Sequence, residues 1–210
     1  MDVHPPHEPI HTWRDFFLHL ATITVGLLIA LGLEGAVEYL HHRHIVAEAR
    51  ENIRHELELN EAAARDDQKN LETNKKNMQA NLVVLRVIRS DPKAMKGKHM
   101  SYNFDWSSFN ESAWISARDS GALTYMPTSE VQTYADIYNQ QEVVTNQAVA
   151  TFTRESEVFA PFLMEPDDSS ISHDEAQGML RETALTYARL DILRQLCEEL
   201  SKAYADALKK

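Results

Sequence analysis

The sequence predicts an all-α protein in which an N-terminal transmembrane helix runs on into a long helix, followed by an antiparallel helical bundle. Three observations carry this expectation. Residues Phe16 to Leu33 form an almost unbroken apolar run. From Ala36 to Arg89 there is neither proline nor glycine, and apolar residues recur at helical spacing. No stretch alternates apolar and polar residues for long enough to make a convincing strand.

Residues 1–15 read as an extended tail, because Pro5, Pro6 and Pro9 interrupt any helix there. His4, His7 and His11 in this tail carry at most adventitious metal affinity. Residues 16–40 read as the membrane span with its interfacial end. At 1.5 Å rise per residue, Phe16 to Leu33 covers about 27 Å, close to the hydrocarbon thickness of a bilayer. Trp13 and Tyr39 flank the run where amphipathic rings prefer the headgroup level, and Glu34 and Glu38 fall at the far interface. The cluster His41, His42, Arg43 and His44 follows, an interfacial collar in which imidazoles and a guanidinium meet headgroups. The run is longer than a signal-peptide core and lacks a basic leader and a small-x-small cleavage site, so it reads as an uncleaved anchor.

Direction in the membrane stays open. Arg14 alone precedes the run, whereas Arg43, Arg50 and Arg54 follow it. Positive-inside counting puts the soluble part in the cytoplasm, yet single-span bacterial proteins often export theirs. Thr22, Gly26 and Ala30 recur every fourth residue and line one helix face, where small side chains let a second helix backbone approach closely.

Residues 41–210 read as one helical soluble domain, for which 210 residues in all leave enough chain to build a core. Leu40, Val46, Ile53, Leu57, Leu71, Met78, Leu82, Leu85 and Ile88 mark the stripe of the first long helix, thinly between Asn60 and Asn77, with an interruption expected near Asn60. Asp91-Pro92 ends it, and Lys93 to Asp105 is a loop. Ser108-x-x-Glu111 reads as a capping box opening a short helix that stops at Ser120-Gly121. Pro127 starts the next helix, faced by Val131, Tyr134, Ile137, Tyr138, Val144, Ala148 and Phe152. Pro161 and Pro166 bracket a break. Ser172-x-x-Glu175 is a second capping box, and the last helix carries Met179, Leu180, Leu190, Leu193, Leu196, Cys197, Leu200 and Tyr204.

The formal net charge of -11 argues against nucleic acid as a partner, since such binders present a basic face. Cys197 is the single cysteine, which excludes an intramolecular disulfide and leaves it as a small core residue. Glu38, His41, His44 and Glu48 step along one helix, and a divalent metal there is the sharpest chemical alternative to a solvated collar. A carboxylate-bridged di-iron site needs a second Glu-x-x-His, which the sequence lacks. Beyond the first long helix only His99 and His173 occur, and no nucleophile elbow, phosphate loop or dinucleotide fingerprint accompanies them. The expectation is a protein that is not an enzyme and holds no cofactor.

Gly26-Leu27-Leu28-Ile29-Ala30-Leu31, followed by a helix holding Ile53, Glu56, Leu57 and Asn60, resembles a group of uncharacterised bacterial single-span membrane proteins with a helical soluble domain. Trp114, Ser120-Gly121, Tyr134 and Tyr138 are similar to its later segment. The acidic, histidine-bearing N-terminus and His41 to His44 depart from that pattern. The resemblance implies a bacterial inner-membrane, single-pass architecture and no particular chemistry.

The reading that follows is an anchored accessory, structural or assembly subunit of a membrane complex. Its partners are the bilayer and either other membrane subunits or a second copy, met through the transmembrane helix. The alternative is an anchored ligand-binding or sensory module using the aromatic group Trp106, Phe109, Trp114, Tyr125, Tyr134 and Tyr138.

Overall fold

A computed structural model describes residues 12–91, 94, 98–102, 105–164 and 171–209, with backbone alone for 158–164. The histidine tail, Pro92, Gly97, Pro166 and the Asp167 to Ser170 stretch lie outside the described residues. Every regular element described is helical: α1 (Trp13–Ser90), α2 (Ser112–Asp119), a 3-10 turn (Ala122–Tyr125), α3 (Thr128–Met164) and α4 (His173–Leu208). The chain divides into two units, 1–48 and 49–210.

In the first unit α1 opens on Thr12, whose hydroxyl and carbonyl both accept from the Asp15 N–H while the Asp15 carboxylate takes the Thr12 hydroxyl proton. This reciprocal pairing satisfies helix-start donors before the apolar run begins. The helix holds one stretch long and apolar enough to cross a membrane, with mean hydropathy 2.2 over 18 residues and none of that window buried. Thr22 and Thr24 donate their hydroxyls to the carbonyls of Leu18 and Leu20, so neither needs a partner from outside the helix. Trp13, Phe16 and Phe17 form an exposed aromatic group at its start, with ring centroids 5.6 to 6.3 Å apart.

In the second unit α1 is unbroken through Asn60, against the expected interruption. The stripe that looked thin is complete: Ile53, Leu57, Asn60, Ala64, Asp67, Leu71, Asn74, Met78, Asn81, Leu85 and Ile88 are all buried, at alternating steps of three and four. Polar residues occupy one position of this heptad four times running, at 60, 67, 74 and 81. Leu40, by contrast, is exposed and Leu82 only half-buried.

Two expected boundaries moved. The segment 105–111 has no regular structure, and α2 starts at Ser112 with Glu111 at its cap making no side-chain cap bond. Pro161 does not break α3, which continues to Met164; a proline costs its helix one N–H bond, and here it falls in the last turn, where the helix ends anyway. Gly121 adopts φ 77°, the left-handed conformation that closes α2 and admits glycine without strain. The second capping box forms as read, Ser172 accepting from the Glu175 N–H and Glu175 from the Ser172 N–H.

Side-chain pairs join the long helices. Partners on α3 climb with α1: Arg50 with Glu130, Glu56 with Tyr138, Asn60 with Gln141. Partners on α4 descend: Gln68 with the Cys197 carbonyl, Lys75 with Asp191, Gln79 with Tyr187, Arg89 with Gln177. At one end Leu85, Ile88, Ile171, Ala176 and Met179 close an apolar cluster.

Candidate functional site

The site grows out of the polar heptad. Asn60 accepts the Asn110 N–H at 2.8 Å and donates to the Asn110 carbonyl at 2.7 Å, pairing with that residue as a neighbouring strand would. Asp67 Oδ1 accepts the Ser107 N–H at 2.8 Å. Asn81 repeats the two-way pairing with Ser101, at 3.0 and 2.9 Å. Seven helical residues advance about 10.5 Å and three extended residues about 10 Å. The step from Asn60 to Asp67 therefore matches the step from Asn110 back to Ser107. Backbone that packs on a helix without secondary structure of its own needs partners, and here α1 side chains supply them.

Glu56 extends the same device into α2. Its Oε2 accepts the Ala113 N–H at 2.8 Å and its Oε1 the Trp114 N–H at 3.4 Å, so a carboxylate from α1 does the capping that Glu111 and Ser108 do not. Tyr138 donates its hydroxyl to Glu56 Oε1 at 2.7 Å, and Tyr204 donates to Gln141 Oε1 at 2.6 Å. Gln141 Oε1 also takes Asn60 Nδ2, and Gln141 Nε2 donates to the Asn110 carbonyl. Burial pushes the pKa of both tyrosine hydroxyls up, with the Glu56 bond adding to it at Tyr138, so each stays protonated and remains a donor. Glu56, Trp114 and Tyr138 thus share one cluster, and Asn60, Asn110, Gln141 and Tyr204 a second beside it in sequence. Trp114 stacks on Tyr138 with ring centroids 5.3 Å apart and planes 13° from parallel.

The aromatic group that suggested a ligand cavity divides in two. Trp114 packs with Tyr134 and Tyr138, whereas Trp106 and Phe109 pack with Phe152 and Tyr204. Tyr125 stays half-exposed at the surface. Only Tyr134 of the six borders the cavity of about 580 Å³ that opens between Arg50, Arg54 and Leu57 of α1, the first turns of α3 and the end of α4 at Leu208. On its wall Arg50 holds Glu130 in a bidentate pair, 2.7 Å at both contacts, which keeps the Glu130 carboxyl below the ordinary carboxylate range.

Further along the interior, Glu155 is buried with no partner for either oxygen among the described residues, and burial pushes its carboxyl up to about 7. Burial likewise lifts Asp67 to about 6, against the pull of the Ser107 bond, and leaves its Oδ2 unpaired among the described residues. Cys197 is the core residue its pattern implied: fully buried, its thiol pushed up to about 12 chiefly by burial.

The residues singled out in the first 48 lie along α1. Trp13, Glu34, Tyr39, His41, Arg43 and His44 are exposed, as are Thr22, Gly26 and Ala30. Glu38 lies 3.9 Å from His42, and Arg43 sits over the Tyr39 ring at 5.8 Å. Among the described residues no three His, Cys, Asp or Glu side chains converge as a metal site requires. For Glu38, His41 and His44 the reason is geometric, since steps of three leave the outer pair about 120° apart around a helix.

What sequence reading missed is the capping role of Glu56 and the backbone pairing of Asn60, Asp67 and Asn81. The spacing of seven was the available signal. Comparison of the chain with protein-family models, curated proteins and solved structures gives no match.

Proposed function

We propose that this protein is a membrane-anchored, non-enzymatic accessory or assembly subunit that acts by contact. The apolar window of α1 carries the proposal: none of it is buried by the chain itself, so lipid and neighbouring helices must cover it. Its Thr22, Gly26, Ala30 face is fit for a neighbour. A side chain built at Gly26 would meet no atom within 4 Å, and the Thr22 hydroxyl is already satisfied inside the helix.

In this reading residues 49–208 form a rigid bundle of three long helices, α4 running against α1 and α3, as the order of their side-chain pairs supports. The Glu56 and Asn60 clusters use their polar groups to hold α2 and the segment before it on the helices, the arrangement of a scaffold. The histidine collar serves the membrane boundary, with imidazoles and Arg43 at headgroup level.

Extraction from native membranes in a mild detergent, followed by native mass measurement, tests the proposal. An assembly heavier than one chain and one detergent belt is expected, lightened by Gly26→Leu. A strictly monomeric species for the unaltered protein contradicts it.

A further inference from the structure

We propose that the cavity between Arg50, Arg54 and the start of α3 binds a small aromatic carboxylate, its anionic head on Arg54 and its ring against the apolar wall. This goes beyond the accessory role, and its failure leaves the anchoring account standing.

The charge pattern selects the head group. Arg50 and Glu130 neutralise each other through two short bonds, so neither is available to a ligand of either sign. Arg54 makes only a 3.4 Å contact from Nε to Glu58, leaving the rest of its guanidinium fork without a protein acceptor among the described residues. One unsatisfied guanidinium fits one carboxylate, whose two oxygens match its fork. Arg54 therefore sets the place of the carboxylate among the residues that line the cavity.

The remaining wall selects the body. Leu57, Pro127, Leu208 and the Tyr134 ring line the cavity, and 580 Å³ lies within the range of small-molecule sites. A ring enters such a space at little conformational cost and stacks against tyrosine. A larger dianion would need a second free cation, which the Arg50–Glu130 pair does not supply.

The test uses the full chain in neutral phosphatidylcholine nanodiscs, with labelled benzoate followed by equilibrium dialysis against empty nanodiscs. Benzamide, equal in shape and uncharged, is the control ligand. Saturable binding of one benzoate per chain is expected, with benzamide and the Arg54→Gln variant each weaker by about tenfold or more. Thr133→Leu, which narrows the cavity without touching a cation, should weaken binding while its melting temperature certifies the fold. Benzoate that fails to saturate above the empty-nanodisc background overturns the proposal. So does equal affinity for benzamide, or unchanged affinity in Arg54→Gln or in a folded Thr133→Leu.

Discussion

The Tyr138 hydroxyl stands 2.7 Å from Glu56 Oε1, while the other oxygen of that carboxylate receives the Ala113 N–H at 2.8 Å. One buried carboxylate on α1 therefore fixes α3 through a side chain and α2 through its backbone. Removing either contact exposes a different weakness.

Tyr138→Phe takes away one donor and leaves a buried carboxylate undersatisfied, which should destabilise the full chain by about 1.5–3 kcal/mol. Glu56→Gln should cost at least as much, because an amide cannot accept from Tyr138 and from the α2 N–H groups with both of its heavy atoms. Thermal melts in nanodiscs check both. Stability unchanged by either substitution would mean that the network does not hold α2 in place.

Asn81→Ala should act locally. The Ser101 N–H loses its acceptor at 3.0 Å, whereas Asn110 keeps both bonds to Asn60. Amide hydrogen exchange should therefore speed up at Ser101 and hardly change at Asn110, with Asn60→Ala giving the reverse. Uniform acceleration at both positions in either variant would show that the segment is not pinned point by point.

Stability should fall as pH rises from 5 to 8. Asp67 and Glu155 have folded-state values of about 6 and about 7, above those of an unfolded chain. The native state then holds protons that the unfolded state has released, so stability is fullest below the ordinary carboxylate range and is lost through these two values. Glu130, Glu175, Asp191 and Glu198 are shifted downward, chiefly by hydrogen bonds from Arg50, Ser172, Lys75 and Lys202 respectively, and their contribution is lost only at more acidic pH. Glu155→Gln should flatten the melting temperature between pH 5 and 8, and Asp67→Asn, which keeps an acceptor for Ser107, should flatten it further. A slope equal to that of the unaltered protein in the double variant would remove these carboxylates as its source.

Local signals in the sequence were legible where the partner was also local. Ser172 and Glu175 cap each other within three residues, and the box forms. Ser108 and Glu111 carry the same signature, but the Asn110 N–H is taken by Asn60 and the helix starts only at Ser112, where Glu56, 57 residues away from Ala113, accepts the Ala113 N–H. The stripe of α1 appeared broken for a related reason. Asn60, Asp67 and Asn81 belong in the interior because they meet backbone that comes from 101–110, and hydropathy alone cannot assign an asparagine to a core. The apolar run from Phe16 to Leu33 was plain, since its signal is composition over one continuous helix.

The contact account of the α1 face is tested most directly by photo-crosslinking in native membranes, with a photoreactive residue at Gly26 or at Leu28. The two positions lie on opposite sides of the helix, about 200° apart. The account predicts a discrete protein adduct from position 26 and lipid adducts alone from position 28. No protein adduct from position 26, or the same adducts from both, would contradict it.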